Sequence, residues 1–424
     1  MLTKLKPKSE FSRNVLTLMT GTTIAQAIPI AISPILTRIY TPEDFGVFAL
    51  FIAITAIFGS IANGRYELAI MLPKKDEDAI NIFALGFIIT SAISLFLLIL
   101  VIVFNDYFTK LLNNDDISLW LYFVPIAVFF IGIWNILNYF NNRKKQYKDI
   151  AKATIIKSIV TAIVQLSVGF IKQGATGLIS GQILSQLFAN TKLLSNIIKD
   201  KVLLSKISKL KIIALAKRYK DFPKFSMWAI FANTLSQNLT NILISSFYSI
   251  ATLGFYSLVQ RVLGMPASLI GGSIGQVFFQ QATKEKQQTG KAIKTFNSTM
   301  KKLIIIGLPS FGILFFIVEH LFAFVFGEEW RIAGIYAQIV IPLFFIRFIV
   351  ATVSAIDTIM ERQNIYLLFN IVLLTVGVLI ILLFKNYQFE FFLNIFALSM
   401  GLIYLVYGYM LFKMAKNEFI FGVK

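Results

Sequence analysis

Apolar runs long enough to cross a bilayer recur along almost the whole chain, separated by short polar gaps. They lie near Val15 to Tyr40, Phe45 to Asn63, Ile80 to Phe104, Ile117 to Tyr139, Ala153 to Ile171 and Ala175 to Ile197. A second series lies near Phe225 to Tyr248, Leu253 to Phe279, Leu303 to Phe326, Ile332 to Met360, Tyr366 to Phe384 and Phe391 to Phe412. The pattern predicts an all-α integral membrane protein of about twelve transmembrane helices. The first run is too long for a signal-peptide core and lacks a small-x-small cleavage pattern, so it is expected to stay as an uncleaved helix.

The polar gaps are not equivalent. Even-numbered gaps collect the basic residues: Lys74 and Lys75; Arg143, Lys144, Lys145 and Lys148; Lys199 through Lys224; Lys284 through Lys302. Odd gaps hold little beyond Arg38, Lys110, Lys172, Arg331 and Lys385. Short loops rich in Lys and Arg stay in the cytoplasm. Both ends, with Lys4, Lys6, Lys8 and Arg13 at one and Lys413, Lys416 and Lys424 at the other, are therefore expected there too.

Composition agrees with the pattern: 57% of the 424 residues are hydrophobic, 42 are Phe, and 14% are charged, too apolar for a soluble surface. The net charge of +19 is spread over separate juxtamembrane loops and forms no single patch, so nucleic acid is not an expected partner. It sets orientation, with contact to anionic membrane lipids as a by-product. The chain has no Cys, which excludes disulfides, thiolate metal sites and thiol catalysis.

The chain reads as doubled. Tyr40-Thr-Pro-Glu-Asp-Phe-Gly46-Val-Phe48-Ala-Leu50, between the first and second runs, matches Tyr248-Ser-Ile-Ala-Thr-Leu-Gly254-Phe-Tyr256-Ser-Leu258, between the seventh and eighth, at an offset of 208 residues. Each half has an even number of runs, so both start on one side and are related by a pseudo-two-fold axis along the membrane normal. The expected organisation is an N-terminal six-helix lobe over 1–198, an amphipathic linker over 199–222 and a C-terminal six-helix lobe over 223–424. In the linker Ile207, Leu210, Ile213 and Leu215 alternate with lysines, as on an interfacial helix. Two lobes suit alternating access, and Pro29, Pro34, Pro266 and Pro342 remove backbone hydrogen bonds at membrane depth where bending is needed.

Charges inside spans identify a candidate cavity, since each costs roughly 2.5–3.5 kcal/mol at the bilayer centre. They are Arg347 in the tenth run, Arg261 in the eighth, Lys157 in the fifth, and Arg65 with Glu67 at the end of the second. On helical spacing Arg347, Ser354 and Asp357 share one side, as do Lys157, Thr161 and Gln165. Amides form two stripes: Asn233, Gln237 and Asn241, and Gln182, Gln186 and Asn190. The stripes have two open readings, contact with sugar hydroxyls or interhelical hydrogen bonds, and Lys157 and Arg65 divide likewise between substrate contact and snorkelling to the interface. A mostly cationic cavity attracts an anion, and arginine presents a fork that fits phosphate oxygens. Asp357, the strong embedded carboxylate, is either a coupling or gating group with Pro29 and Pro34, or a helix-end charge within reach of Arg362. His320 beside Glu319 reads as an outer-interface cap or a proton carrier.

Several segments resemble one family. They are Arg65-Tyr-Glu-Leu-Ala-Ile-Met-Leu-Pro73, Ala216-Lys-Arg-Tyr-Lys-Asp-Phe-Pro223, Gly254-Phe-Tyr-Ser-Leu-Val-Gln-Arg261 with Pro266 and Gly275-Gln-Val-Phe278, and Phe326-Gly-Glu-Glu-Trp330-Arg-Ile-Ala-Gly334. Together, in this order, they resemble the Wzx-type polysaccharide flippases of the multidrug, oligosaccharidyl-lipid and polysaccharide exporter superfamily, whose fold is MATE-like. The resemblance implies movement of an undecaprenyl-diphosphate-linked oligosaccharide across the bacterial inner membrane, for O-antigen, capsule or exopolysaccharide assembly. No cofactor is expected, with an H+ or Na+ coupling ion and contact of other polysaccharide assembly proteins with the basic loops left open, and a monomer is expected because the two lobes already supply the symmetry that a dimer would. The diphosphate of such a substrate agrees with the cationic interior.

Two other classes compete. A MATE-like cation or drug antiporter would depend on Asp357. A membrane enzyme acting on the same lipid-linked substrate would need a catalytic external loop, and no paired carboxylate, zinc spacing, phosphate loop or nucleophile motif is present in a suitable setting. No catalytic or metal-ligating residue is therefore assigned.

Overall fold

The computed structural model describes residues 10–171 and 174–418, and Lys4, Lys6, Lys8, Lys172 and Lys424 lie outside them, as do the side chains of Arg13 and Pro266. The described residues are almost wholly helical, with no strand. Twelve helices have 18 residues or more, and we number these: α1 Glu10–Ile39, α2 Pro42–Gly59, α3 Asp76–Leu112, α4 Val124–Arg143, α5 Tyr147–Ile171, α6 Thr176–Ile198, α7 Met227–Phe247, α8 Ile250–Thr289, α9 Ile293–Phe326, α10 Arg331–Val353, α11 Gln363–Phe384 and α12 Phe389–Ala415. Among the described residues nine stretches are long and apolar enough to cross a membrane, and α8, bent between Ile250–Gly264 and Leu269–Thr289, makes a tenth. The two long helices outside that set are α6 and α7, which carry the two amide stripes. Polar side chains at every turn lower their mean hydropathy below that of their neighbours.

Local signals set the helix ends. Thr41 caps α2: its hydroxyl accepts from the Asp44 amide while the Asp44 carboxylate accepts from the Thr41 amide, and Pro42 takes the first-turn position that needs no donor. Asp76, Glu77 and Asp78 place negative charge at the start of α3. Helix α1 stays continuous through Pro29 and Pro34. The Ser33 hydroxyl donates to the Pro29 carbonyl at 2.6 Å, and the Thr37 hydroxyl and Arg38 guanidinium donate to the Pro34 carbonyl. Pro309 lies inside α9, which is continuous from Ile293 to Phe326.

The chain divides into two compact units, 1–246 and 247–424. In the first, Ile80, Ile82, Phe83, Ile136, Leu137, Phe140, Leu193 and Ile197 form the core at one end of α3, α4 and α6. In the second, Phe278, Phe296, Leu303, Phe348, Val353, Ile356, Tyr407 and Leu411 do the same for α8, α9, α10 and α12. The outward faces are apolar as well. Leu95, Ile99, Ile102 and Val103 follow one stripe of α3, and Leu398, Leu402, Leu405, Val406 and Tyr409 one stripe of α12, all exposed. A soluble protein avoids continuous apolar stripes of that extent, whereas lipid tails cover them.

Candidate functional site

The embedded cations belong to different units, and each group is built by its own helices. In the second unit α8, α10 and α12 bring together Tyr256, Gln260 and Arg261, then Arg347, then Tyr404. Arg347 is exposed although it lies in the central third of the apolar span Glu328–Ile359, and Arg261 is half-buried. The Tyr256 hydroxyl is hydrogen-bonded with the Gln260 side chain, and the Arg347 charge acts on the hydroxyls of both Tyr256 and Tyr404. Tyr404 is packed edge-on against Phe369 at 5.1 Å, and Phe369 stacks on Tyr407 at 4.0 Å with 12° between planes. A guanidinium whose charge reaches two phenols, one of them packed on an aromatic ring, can hold an anion by charge and its neighbours by hydrogen bonds and ring contact. The tyrosines were missed in the sequence because aromatic residues are frequent in every span.

Arg347 and Asp357 do not lie on one continuous helix, as the spacing assumed, and Arg347 is exposed whereas Asp357 is buried. Helix α10 ends at Val353, and Asp357 falls in a separate turn, Ile356–Ile359. There it is buried and accepts from the Tyr407 hydroxyl at 3.0 Å, from the Thr358 hydroxyl at 3.1 Å and from the Thr358 amide. Arg362 meets Asp357 through backbone only, its amide donating to the Asp357 carbonyl at 2.6 Å. The turn is held from α8 by Lys286, whose ammonium donates to the Ile359 carbonyl at 2.6 Å and pairs with Glu361 at 3.0 Å. Glu319 pairs with Arg331 at 3.1 Å; adjacent residues such as Glu319 and His320 point to different faces of a helix.

In the first unit Lys157 is half-buried on α5, its ammonium over the Trp134 ring of α4 at 5.9 Å, a cation–π distance. Gln165, two turns on, is buried and donates to the Leu178 carbonyl at 3.2 Å. Asn190 donates to the Phe130 carbonyl at 2.9 Å, so this position of the α6 stripe makes the interhelical bonds of the second reading. Gln186 is buried one turn before it, its Oε1 without a hydrogen-bond partner. In α7, Asn233 is half-buried and Gln237 exposed.

Arg65 sits between α2 and α3 and pairs with Glu67 at 3.0 Å. Gly64 and Arg65 are both left-handed, at φ 57° and 65°, a turn that costs a non-glycine residue roughly 1–2 kcal/mol. It aims Glu67 inward: the carboxylate is buried and its Oε2 has no hydrogen-bond partner. Burial pushes the Glu67 carboxyl above the usual range, with the Arg65 charge opposing. Both charges act on Tyr139 of α4, and the Tyr66 hydroxyl donates to the Ala216 carbonyl of the linker at 3.0 Å.

The fold is shared with known transport proteins. The lipid II flippase MurJ, in an inward closed conformation, matches with a TM-score of 0.71 and 14% identity over 95% of this chain and 90% of that one. An inward-facing multidrug resistance transporter of the MATE family, in the MOP superfamily, gives 0.67 and 14% over 94% of each chain. A MOP superfamily transporter from Pyrococcus furiosus, described as having a binding pocket of reverse polarity, gives 0.56 and 12% over 96% of each. At such identities the likeness establishes the fold, that of multi-pass membrane transporters and a flippase rather than of enzymes. No curated protein sequence matches the chain. Residues 35–334 match the polysaccharide biosynthesis protein family, and since that is well over half of its length the chain belongs to this family.

Proposed function

We propose that the protein is a flippase that moves an undecaprenyl-diphosphate-linked oligosaccharide from the cytoplasmic to the periplasmic leaflet by alternating access, for O-antigen, capsule or exopolysaccharide assembly. Family membership gives polysaccharide assembly. The observation that carries the reading further is Arg347, an exposed guanidinium in the central third of the span Glu328–Ile359 whose charge reaches two phenols. Exposure to lipid at that depth is costly, so the guanidinium faces a wet cavity. There it attracts a diphosphate, with Arg261 as the second cation of the same unit; Lys157 and Arg65 are assigned to substrate contact within the first unit. Gln186, Asn233 and Gln237 are assigned to the glycan path, and Pro29, Pro34 and Asp357 to gating. On this reading the protein lies in the bacterial inner membrane as a monomer, with both ends and the basic loops in the cytoplasm, where other assembly proteins meet it.

The test is deletion of the gene in its native host, with mass spectrometry of lipid-linked oligosaccharides and a probe of their periplasmic accessibility. A complete undecaprenyl-linked unit is expected to accumulate on the cytoplasmic side, cleared by the wild-type gene and not by Arg347→Ala at equal protein level. Normal levels and normal exposure overturn the reading. The MATE-like fold favours a second one, a cation or drug antiporter dependent on Asp357. It is supported if deletion sensitises cells to lipophilic cations and Asp357→Asn does not restore resistance.

A further inference from the structure

The linker contains a helix, Lys209–Arg218, with two different faces. One is welded to the first unit: Leu215 is buried in its core, and Ile212, Ala216 and Tyr219 pack against the same cluster. Polar bonds fix its position along α3. The Lys211 ammonium pairs with Glu77 at 3.0 Å, the Ser208 amide donates to the Asn81 side-chain oxygen at 2.8 Å, and the Asn81 side chain donates to the Lys206 carbonyl at 3.0 Å. Glu77 and Asn81 belong to the first turns of a membrane-spanning helix, so the linker helix is held at the level where that span leaves the apolar layer.

The opposite face has no protein cover among the described residues of this unit. Leu210 is 80% exposed and Ile213 45%. On a helical projection these two and Lys217 share the middle of the exposed arc, with Lys209 on one flank and Arg218 on the other. Lys220 follows, also exposed. Apolar side chains centred between long basic ones, at bilayer-boundary depth, are how a helix enters a headgroup layer: the apolar pair inserts while the ammonium groups meet lipid phosphates. A cytosolic protein partner would not require the helix to be fixed at that depth.

We infer that this face binds the anionic lipid headgroups of the leaflet at the basic end of the protein. The helix thereby clips the segment that joins the two halves to both a core and a membrane surface. The attraction comes from several basic side chains within a Debye length of the surface and depends on lipid charge and salt.

The native chain has no Cys, so a single introduced thiol reports one position without further changes. Full-length protein carrying Ile213→Cys, or Ala214→Cys on the same exposed arc as a milder variant, is placed in nanodiscs of zwitterionic lipid or of lipid containing phosphatidylglycerol. Reaction with a charged, water-soluble thiol reagent is expected to be several-fold slower in the anionic discs, and an environment-sensitive fluorophore on the same thiol is expected to shift to the blue. High salt or Lys217→Glu with Lys220→Glu should abolish the difference. Equal reactivity in the two kinds of disc overturns the assignment and leaves the face to a protein partner. Because glycan transport is not the readout, the result is independent of the proposed function.

Discussion

The Tyr40 hydroxyl donates to the Gln165 carbonyl at 2.6 Å, and 208 positions later the Tyr248 hydroxyl donates to the Phe384 carbonyl at 2.9 Å. Each bond ties the end of the first helix of a half to the fifth helix of that half. The caps repeat at the same offset: Thr41 accepts from the Asp44 amide and Ser249 from the Thr252 amide. Leu50 and Leu258, also a pair, are both fully buried. The repeat in the sequence is thus a repeated joint, conserved in its hydrogen bonds although only Tyr, Gly and Leu are identical. Both phenols lie outside the spans and are pushed up to about 12, chiefly by burial, so both remain donors at any physiological pH.

Tyr40→Phe and Tyr248→Phe are each expected to lower stability by about 1 kcal/mol, the net value of one hydrogen bond. Gly177→Ala should be worse than Tyr40→Phe. A Cβ there would lie 1.9 Å from the Tyr40 hydroxyl, and one at Gly169 2.5 Å from it, so the added methyl displaces the ring along with the bond. Thermal unfolding of the detergent-solubilised protein should place the two tyrosine variants close together below wild type and Gly177→Ala lowest.

What the sequence made legible follows from what each pattern depends on. Long apolar runs and charged gaps report burial in lipid, which needs no partner, and they marked the twelve long helices among the described residues, of which nine, or ten with the bent α8, are apolar enough to span. Helices α6 and α7 show the limit. In α6 the Asn190 amide makes a helix-helix bond to the Phe130 carbonyl of α4, and that partner cannot be read from α6 alone. Asp357 shows the same limit. Its partner Tyr407 is 50 positions away on α12, whereas Arg362 was inferred from nearness in sequence. The expectation that Arg347 and Asp357 share a face assumed one unbroken helix, and the break after Val353 was not evident in an apolar run.

The phenols beside Arg347 give a graded prediction for transport. Arg347→Ala is expected to abolish glycan movement at normal protein level. Arg347→Lys keeps the charge and loses the planar fork, and should leave partial activity. Tyr404→Phe and Tyr256→Phe keep the aromatic ring and remove one hydroxyl each, so they should reduce transport less than Arg347→Ala does. Flipping assays in proteoliposomes with a lipid-linked diphosphate glycan measure all four. Full activity in Arg347→Ala would remove the cationic pocket from the mechanism.

Asp357 is held by hydroxyl and amide donors rather than by a cation, so its removal should act first on folding. Asp357→Leu strands the Tyr407 hydroxyl in the core, at a cost of about 1–3 kcal/mol for a buried unpaired group, and should lower the amount of protein in the membrane. Asp357→Asn retains an acceptor and should preserve it. Tyr407→Phe should fall between the two. Quantitative blotting of membrane fractions, with activity normalised to protein, separates this structural role from a coupling role, in which Asp357→Asn would be abundant and inactive.

Glu67 yields a pH dependence whose sign follows from its surroundings. Burial raises its carboxyl above the ordinary range and Arg65 only partly offsets that, so the folded protein favours the protonated form more than the unfolded chain does. The stability linked to this group is complete below the unfolded carboxyl pKa and is lost as pH rises through the folded one. Glu67→Gln keeps the shape of the protonated side chain and cannot ionise. Wild type should therefore lose stability relative to Glu67→Gln as pH is raised from the acidic side through the window above the ordinary glutamate value. Arg65→Ala, which removes the opposing cation and leaves the carboxylate buried alone, should push that window higher. Parallel melting curves of the three proteins across pH test the order, and a wild type that instead gains on Glu67→Gln with rising pH would show that the Arg65 ion pair outweighs burial.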